Sequence, residues 1–402
     1  MDPTTATLPG TALALIHTGE APTRSALTAK LGVTRATTGA ITGELRDLRL
    51  IEVEASPGGG HLGRPSHRLL PDPNGPVALA AEIHTDGFTV ALIGLGAVTV
   101  AQVSRDLPVP ADPERALAPV SEAAAELLRM SGRGCVGVAV AVPFAVTEPG
   151  GAAVGALYFG WPDGVKVSDI FAAQLAEHGV SGPNGAPLAC HAVNDVNAVA
   201  LAEHRHGAGR DAAHLLVVAA TRRGVGSALV LRGALYTGST GLAMEAGHVS
   251  IDPHGRPCPC GSRGCLNVET DAGRFLEASG RVPGPGTAPL DAAIAVLTAG
   301  YPTDPRVRAA VGTVVGRLGL GLASLVNVVN PDRVLLGGLH KHLLLAAPEQ
   351  LRDAVAARSP WGRGAAVPIV GCAIDEDAPL IGAAELAWQP VLDNPAILRP
   401  VS

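Results

Sequence analysis

The sequence predicts an α/β protein in which a small helical domain precedes a larger body made of two similar halves. Three observations lead to this prediction. Three short apolar-periodic helices and a hairpin come first, and two series of strands and helices in the same order follow. Three of the six cysteines then fall within eight residues of the second half, which indicates a metal-binding loop.

The amino-acid composition limits the classes of function that are possible. Hydrophobic residues make up 47% of the 402 residues but aromatic residues only 3%, so the cores must be built from Ala, Val and Leu. A net charge of −6 gives no overall sign of nucleic-acid binding, so any such function must be local. We find no signal pattern and no apolar run of transmembrane length. Together with the isolated Cys135, Cys190 and Cys372, these features predict a cytoplasmic protein.

Residues 10–70 predict a winged helix-turn-helix domain, preceded by a disordered leader at 1–9. The first helix ends at Gly19, the second is stopped by Gly32, and the third begins at Thr34, a good N-cap. The segments IEVEA and SHRLL then flank a glycine-rich tip. A helix, a helix–turn–helix and a β-hairpin, in this order, are typical of a winged helix.

The third helix is the candidate recognition helix, because its exposed side is expected to present hydroxyl and guanidinium groups to a major groove. Arg64, between Gly and Pro at the wing tip, suits a narrow minor groove. Residues 1–76 carry seven basic and seven acidic side chains, so a protein-binding winged helix is the alternative. The candidate DNA-binding residues are Arg24, Thr34, Arg35, Thr37, Thr38, Thr42, Arg46 and Arg64.

A proline-rich linker at 71–76 leads into the body. We predict one lobe at 77–200 and a second at 201–402. In each lobe a set of strands joined by tight turns precedes alternating helices and strands. Such a repeated order suggests a duplicated ribonuclease H-like (actin-like) architecture with a cleft between its halves.

The cysteine loop, residues 248–265, carries the strongest chemical signal. His248, Cys258, Cys260 and Cys265 supply four soft or borderline donors, the number that a tetrahedral Zn²⁺ takes. Because all four positions are filled by the protein, a structural zinc is expected, with no open position for a catalytic water. The alternative is three buried cysteines beside a chance histidine.

The motif E-x-G-H at 245–248, followed by C-x-C-G-x-x-G-C, resembles the signature of the ROK family of repressors and sugar kinases. The resemblance implies a sugar-kinase-like body behind a winged helix with a G-R-P wing. It also implies double-stranded operator DNA as a partner and a sugar or related small-molecule effector. Because half-sites on DNA are usually paired, a homodimer or homotetramer is expected.

The resemblance also implies a ligand site at Asn194, Asp195, Glu245, His248 and Glu269. Asp195 matches the family's general base, although Asn194 and Asp195 could instead only cap a helix. Asn267 stands where the family usually has Glu, and a Glu arrives only at position 269. Bulky Phe144 and the stretch 158–161 replace smaller or polar residues, which suggests a remodelled pocket.

The nucleotide motifs depart further from the family pattern. Residues 82–87 lack D-x-G-x-T, and the arginine loop, residues 221–226, carries Arg222 and Arg223 where the family has small residues. Arginine side chains there would disturb the backbone cradle that phosphate needs. We therefore predict a non-enzymatic regulator in which Asp195 is a vestigial base. An active kinase with an appended winged helix is one alternative, and a regulator whose body only dimerises is another.

Overall fold

The computed structural model describes residues 6–55, 66–84, 86–106, 112–156, 159–222, 224–360, 367–374 and 376–400. The chain forms two compact units. The first unit comprises residues 1–198 and 379–402, and the second comprises residues 199–378. We expected the second lobe to continue to residue 402, whereas residues 379–402 belong to the first unit.

The N-terminal segment has the elements of a winged helix, and each helix begins at a threonine cap. Thr7, Thr23 and Thr34 each accept a hydrogen bond from a backbone N–H of the first turn. Leu8 is already helical, so the predicted leader is too long. The elements are α1 (Leu8–His17), α2 (Arg24–Leu31), α3 (Arg35–Asp47) and the antiparallel strands β1 (Ile51–Glu54) and β2 (Arg68–Pro71).

The first unit continues with a five-stranded sheet in the order β5-β4-β3-β6-β9. The first three strands pair antiparallel, and β6 and β9 add parallel to β3. The strands are β3 (Val77–His84), β4 (Gly87–Gly94), β5 (Val98–Asp106), β6 (Cys135–Val142), the small hairpin β7 (Ala145–Val146) and β8 (Ala153–Val154), and β9 (Cys190–Asn194). The helices of this unit are α4 (Pro113–Ser131) and α5 (Val167–Glu177), with a short 3₁₀ turn at Pro183–Gly185. Helix α6 (Asp195–His206) begins in this unit, and its residues from 199 onward belong to the second.

The second unit has a sheet in the equivalent order, β12-β11-β10-β13-β14, with the same pattern of antiparallel and parallel pairs. The predicted duplication is therefore confirmed. The strands are β10 (His214–Thr221), β11 (Gly224–Leu231), β12 (Ala234–Leu235), β13 (Arg333–Gly338) and β14 (Ile369–Gly371). The helices are α7 (Leu266–Thr270), α8 (Ala272–Ser279), α9 (Pro289–Gly300), α10 (Pro305–Val329), α11 (Leu339–Ala346) and α12 (Pro348–Ala356), with a 3₁₀ turn at Ala246–His248.

The last helix, α13 (Ala378–Asp393), is followed by a 3₁₀ turn at Pro395–Leu398. Its side chains share one hydrophobic core with the winged helix and with the first sheet. Leu13 of α1, Leu45 of α3, Ile93 of β4 and Trp388 of α13 all belong to this core. Each such fully buried side chain contributes about 1.5–3 kcal/mol. The winged helix is thus part of the first unit and packs on the sheet that follows the linker.

In the described part of the chain, α10 is the one helix long and apolar enough to cross a membrane, by length and composition. More than half of its apolar window, 56%, is buried inside the protein. Val311, Val314, Leu318 and Leu322 of α10 lie in the core of the second unit. These contacts identify α10 as the central helix of a folded core.

Candidate metal centre, ligand loops and nucleic-acid interface

The four predicted metal ligands converge. The ligand atoms of His248, Cys258, Cys260 and Cys265 all lie within 4.8 Å of one another. Cys260 Sγ is 3.7 Å from Cys265 Sγ, and Cys258 Sγ is 3.7 Å from His248 Nδ1. Two thiolates bound at 2.3 Å to a tetrahedral zinc would be about 3.8 Å apart. The donor set and its spacing therefore fit a metal ion.

The loop reaches this geometry through short backbone hydrogen bonds. Cys258 donates its N–H to Ser262 O at 2.8 Å, and Gly264 donates to Arg256 O at 2.7 Å. Gly264 has a φ of +59°, and a Cβ there would overlap the carbonyl of Asp252. Only glycine satisfies both conditions, so this position fixes the turn that carries Cys265 inward.

The thiols differ in their electrostatic surroundings. Burial raises the pKa of Cys265 to about 12, whereas the backbone of Ser262 lowers the pKa of Cys260. A buried thiol with a raised pKa is deprotonated only if a cation stabilises its thiolate. A metal ion would supply this charge.

Glu269 is a buried residue that forms a hydrogen bond with the backbone of the cysteine loop. It is only 2% exposed, and its Oε1 accepts the N–H of Arg256 at 3.0 Å. Arg317 of α10 donates to Asp252 Oδ2 at 2.7 Å and approaches Glu269 Oε2 at 3.9 Å. The loop is thereby tied to the central helix. That Glu269 also binds an effector stays a prediction, and its present contacts are structural.

The side chain of Asn267 forms a hydrogen bond with the backbone of the arginine loop. Its Oδ1 accepts the N–H of Val225 at 2.7 Å. It also fills the space beside Gly224, where a Cβ would overlap the Asn267 amide. A phosphate at this loop would therefore compete with an internal acceptor. Arg222 is exposed, and the predicted contribution of Arg223 lies outside the described residues.

The sequence pattern had indicated only that Asn267 replaces an expected Glu. A match by position alone could not reveal its contact with Val225, which lies 42 residues earlier in the chain.

Glu245 and His248 lie at a 3₁₀ turn, and both are exposed. His248 donates its backbone N–H to Glu245 O at 3.0 Å. Desolvation raises the pKa of Glu245, and the charge of His248 opposes this shift. Because Glu245 is exposed, this desolvation is partial. Both side chains are available to a ligand.

In the first unit, Asn194 caps α6. Its Oδ1 accepts the N–H of Val196 at 3.0 Å and that of Asn197 at 3.2 Å. Asp195 Oδ1 accepts the Val196 N–H at 2.8 Å, and the residue is half-buried. The capping role considered from the sequence is thus present.

The bulky residues near Asn194 form a buried aromatic cluster. The ring centroids of Phe144, Phe159 and Trp161 lie 5.3–5.6 Å apart. The backbone oxygen of Phe144 accepts a hydrogen bond from Asn194 Nδ2 at 3.3 Å. These aromatic side chains act as core packing beside the predicted ligand site. Tyr158, predicted to contribute, lies outside the described residues.

The predicted recognition helix presents only part of its expected surface. Thr34, Arg35 and Arg46 are exposed, and Thr37 is half-buried. The expectation that Thr38 and Thr42 are exposed is wrong, since they are 1% and 0% exposed.

The burial of these threonines has a physical cause. Thr28 of α2 donates to Thr38 Oγ1 at 2.9 Å, and Thr42 Oγ1 donates to Thr38 O at 2.9 Å. The Thr38 hydroxyl is satisfied at the contact with α2 and the Thr42 hydroxyl within α3 itself, so neither can reach a base edge. Ala36 and Ala40 are exposed on α3, and the sequence analysis had not singled them out.

The predicted DNA-binding arginines differ in their exposure and in their hydrogen-bond partners. Arg24 is half-buried, and its Nε has no hydrogen-bond partner among the described residues. Arg46 pairs with the neighbouring Asp47 at 3.1 Å. Arg64 at the wing tip lies outside the described residues. Arg35, exposed at the start of α3, is the best placed of the predicted cations that the structure describes.

The fold and these sites agree with comparisons to known proteins. The ROK family model matches residues 87–389, so the chain belongs to the ROK family. A crystal structure of a ROK family transcriptional regulator, a homologue of the Escherichia coli MLC protein, superposes with a TM-score of 0.74. At 21% identity it covers 97% of this chain and 96% of that chain, which establishes the fold.

Two curated relatives point to different activities. A putative xylose repressor from Caldicellulosiruptor sp. is 28% identical over 236 residues, or 56% of this chain and 56% of that protein. A glucokinase from Thermotoga maritima is 30% identical over 212 residues, or 48% of this chain and 64% of that protein. The matches thus span less than two-thirds of either relative.

Proposed function

We propose that this chain is a DNA-binding transcriptional regulator, most simply a repressor. The observation that carries the proposal is a winged helix, with exposed Arg35 at the start of α3, folded onto a ROK body. Guanidinium groups at this position of a recognition helix contact phosphates or guanine edges. The relative described as a putative xylose repressor supports the same function.

The metal is proposed to be a structural Zn²⁺ bound by His248, Cys258, Cys260 and Cys265. Three thiolates and one imidazole are a common zinc set, and no position is left for a reactive water. The ion would supply the positive charge that stabilises the thiolates. The chain's own residues would then hold the exposed Glu245–His248 turn in place beside the loop.

The body is proposed to bind an effector without phosphorylating it. The occupied Val225 N–H and the exposed Arg222 support loss of the phosphate cradle. The proposed effector contacts are Asn194, Asp195, Glu245, His248 and Glu269, the residues that the family resemblance implies. A sugar or a sugar derivative fits this set of amide, carboxylate and imidazole groups. The protein would act in the cytoplasm as a homodimer or homotetramer, because operator half-sites are usually paired.

The second candidate is an active sugar kinase, favoured by the match to a glucokinase. It predicts ATP turnover that depends on Asp195, which starts α6 as the matching general base would. An ATP-coupled assay with a panel of sugars discriminates the two. Turnover that disappears in Asp195→Asn would establish the kinase.

The test of the regulator is a footprint on genomic fragments at physiological salt, with and without each sugar. We expect a protected repeated half-site. Arg35→Ala should weaken binding roughly five- to a hundredfold. Arg352→Ala is the matched control, because this exposed arginine pairs with Glu349 on α12 of the second unit. No protection under any condition would overturn the proposal.

The effect of sugars on DNA binding distinguishes a regulator controlled by an effector from a regulator whose body only dimerises. A sugar that shifts both the thermal transition and the footprint identifies the effector class. A footprint that no compound changes, with no thermal shift, favours the effector-independent regulator.

A further inference from the structure

A buried histidine joins the winged helix to the first lobe. His17, the last residue of α1, is 2% exposed. Its Nδ1 accepts the N–H of Gly96 at 2.8 Å, from the turn between β4 and β5. Its Nε2 lies 2.8 Å from Glu385 Oε1 on α13. Since Nδ1 is an acceptor, the proton resides on Nε2, which donates to the buried carboxylate.

Helix α13 contacts the α1 segment a second time, where the last residue of α13 meets the N-cap of α1. Thr7 donates its backbone N–H to Asp393 O at 2.9 Å. A Cβ at Gly10 would overlap that same carbonyl, so α1 and the end of α13 are in backbone contact. Between the two contacts, Trp388 donates its indole N–H to Ile93 O at 3.0 Å. This bond fixes α13 on the first sheet.

The recognition helix is held by the segment that follows α13. Arg399 Nη2 lies 2.7 Å from Glu44 Oε1, and Glu44 belongs to α3. The winged helix therefore contacts the C-terminal segment at α1 and at α3. These contacts are many residues distant in sequence from the linker at 71–76.

We propose that His17 and Glu385 are positioning residues for DNA binding, seating the winged helix on α13 at a fixed orientation to the first lobe. Neither side chain touches DNA in this role. Removing the imidazole takes one hydrogen-bond donor from a buried carboxylate, and this loss destabilises more than the loss of a surface contact does. Losing the bond would loosen the C-terminal end of α1 on α13 and let the recognition helix sample other orientations.

The same helix offers a physical route to the predicted ligand site. Gly382 of α13 packs against Ala198 O of α6, and a Cβ there would overlap that oxygen. Ala198 lies one turn after Asp195. A ligand that displaced α6 would therefore act on α13, and through Glu385 on the winged helix. This extension rests on the proposed function.

The first experiment compares hydrogen exchange in the full chain and in His17→Ala. We expect amides of α1–α3 to exchange roughly ten- to a hundredfold faster, with the second unit unchanged. Glu385→Gln keeps an acceptor for His17 Nε2–H and should exchange more slowly than His17→Ala. Unchanged protection of α1–α3 in His17→Ala overturns the proposal, whether or not the protein binds DNA.

The second experiment measures affinity for a footprinted fragment. His17→Ala should bind at least roughly tenfold more weakly at a temperature where the chain is fully folded. His340→Ala is the control, because this histidine is also fully buried but belongs to the second unit. Equal losses in the two variants would indicate general destabilisation and overturn the positioning role. If the wild-type chain does not bind DNA, the proposed regulator function is refuted instead. Hydrogen exchange would then still test whether His17 holds the winged helix on α13.

Discussion

The cysteine loop and the arginine loop of the second unit are neighbours that differ in how their chemistry is encoded. The cysteine loop uses side-chain donors, and all four converge within 4.8 Å. The arginine loop would use backbone N–H groups, and one of these is bonded to Asn267 at 2.7 Å. A side-chain site depends on its own residues, whereas a backbone site can be closed by a residue elsewhere in the chain.

The largest expected effect is at the cysteine loop. Cys260→Ser should lose the metal and destabilise the second unit by several kcal/mol, roughly the scale on which a structural zinc contributes to folding. Metal content per chain and the thermal transition are the two measurements. Cys372→Ala is the control, since Cys372 is a buried cysteine outside the metal cluster. One metal ion per chain retained in Cys260→Ser would refute the ligand assignment.

A smaller effect is expected at Asn267. Replacement by Ala leaves the buried Val225 N–H without this acceptor, which should lower the free energy of unfolding by about 1–3 kcal/mol. The metal should be retained, and ATP binding should not appear, because Arg222 remains. Urea unfolding and metal analysis test this. Asn267→Asp keeps an acceptor oxygen and should cost less. Equal stability of the Ala and wild-type chains would show that the Val225 contact is unimportant.

Features that depend on local pattern were predictable from the sequence. The Thr34 cap, the repeated strand order and the convergence of Cys258, Cys260 and Cys265 follow from spacing and residue type. Features that depend on distant contacts were not. A helical pattern alone did not show that Thr38 faces α2, and the order of elements did not place α13 in the first unit.

Helix α7 explains why the two loops stay side by side, and it gives the last prediction. It follows Cys265 directly and carries Asn267 and Glu269. His340 of α11 fixes its end, with Nε2 3.1 Å from Thr270 O. Burial lowers the pKa of His340 to about 4. In the folded protein this ring is therefore neutral at and above pH 5.

The sign of the pH effect follows from this lowered pKa. The unfolded chain binds a proton at His340 near its ordinary pKa, so the stabilising contribution is present above about pH 6.5. It decreases as the pH falls toward 4. Between pH 7.5 and 5.5, the loss from this one group should be about 1 kcal/mol. His340→Gln retains a donor for Thr270 O but does not titrate. Its unfolding free energy, measured in urea across this range, should therefore decrease less than that of wild type. Parallel pH profiles would show that His340 is not buried as a neutral ring.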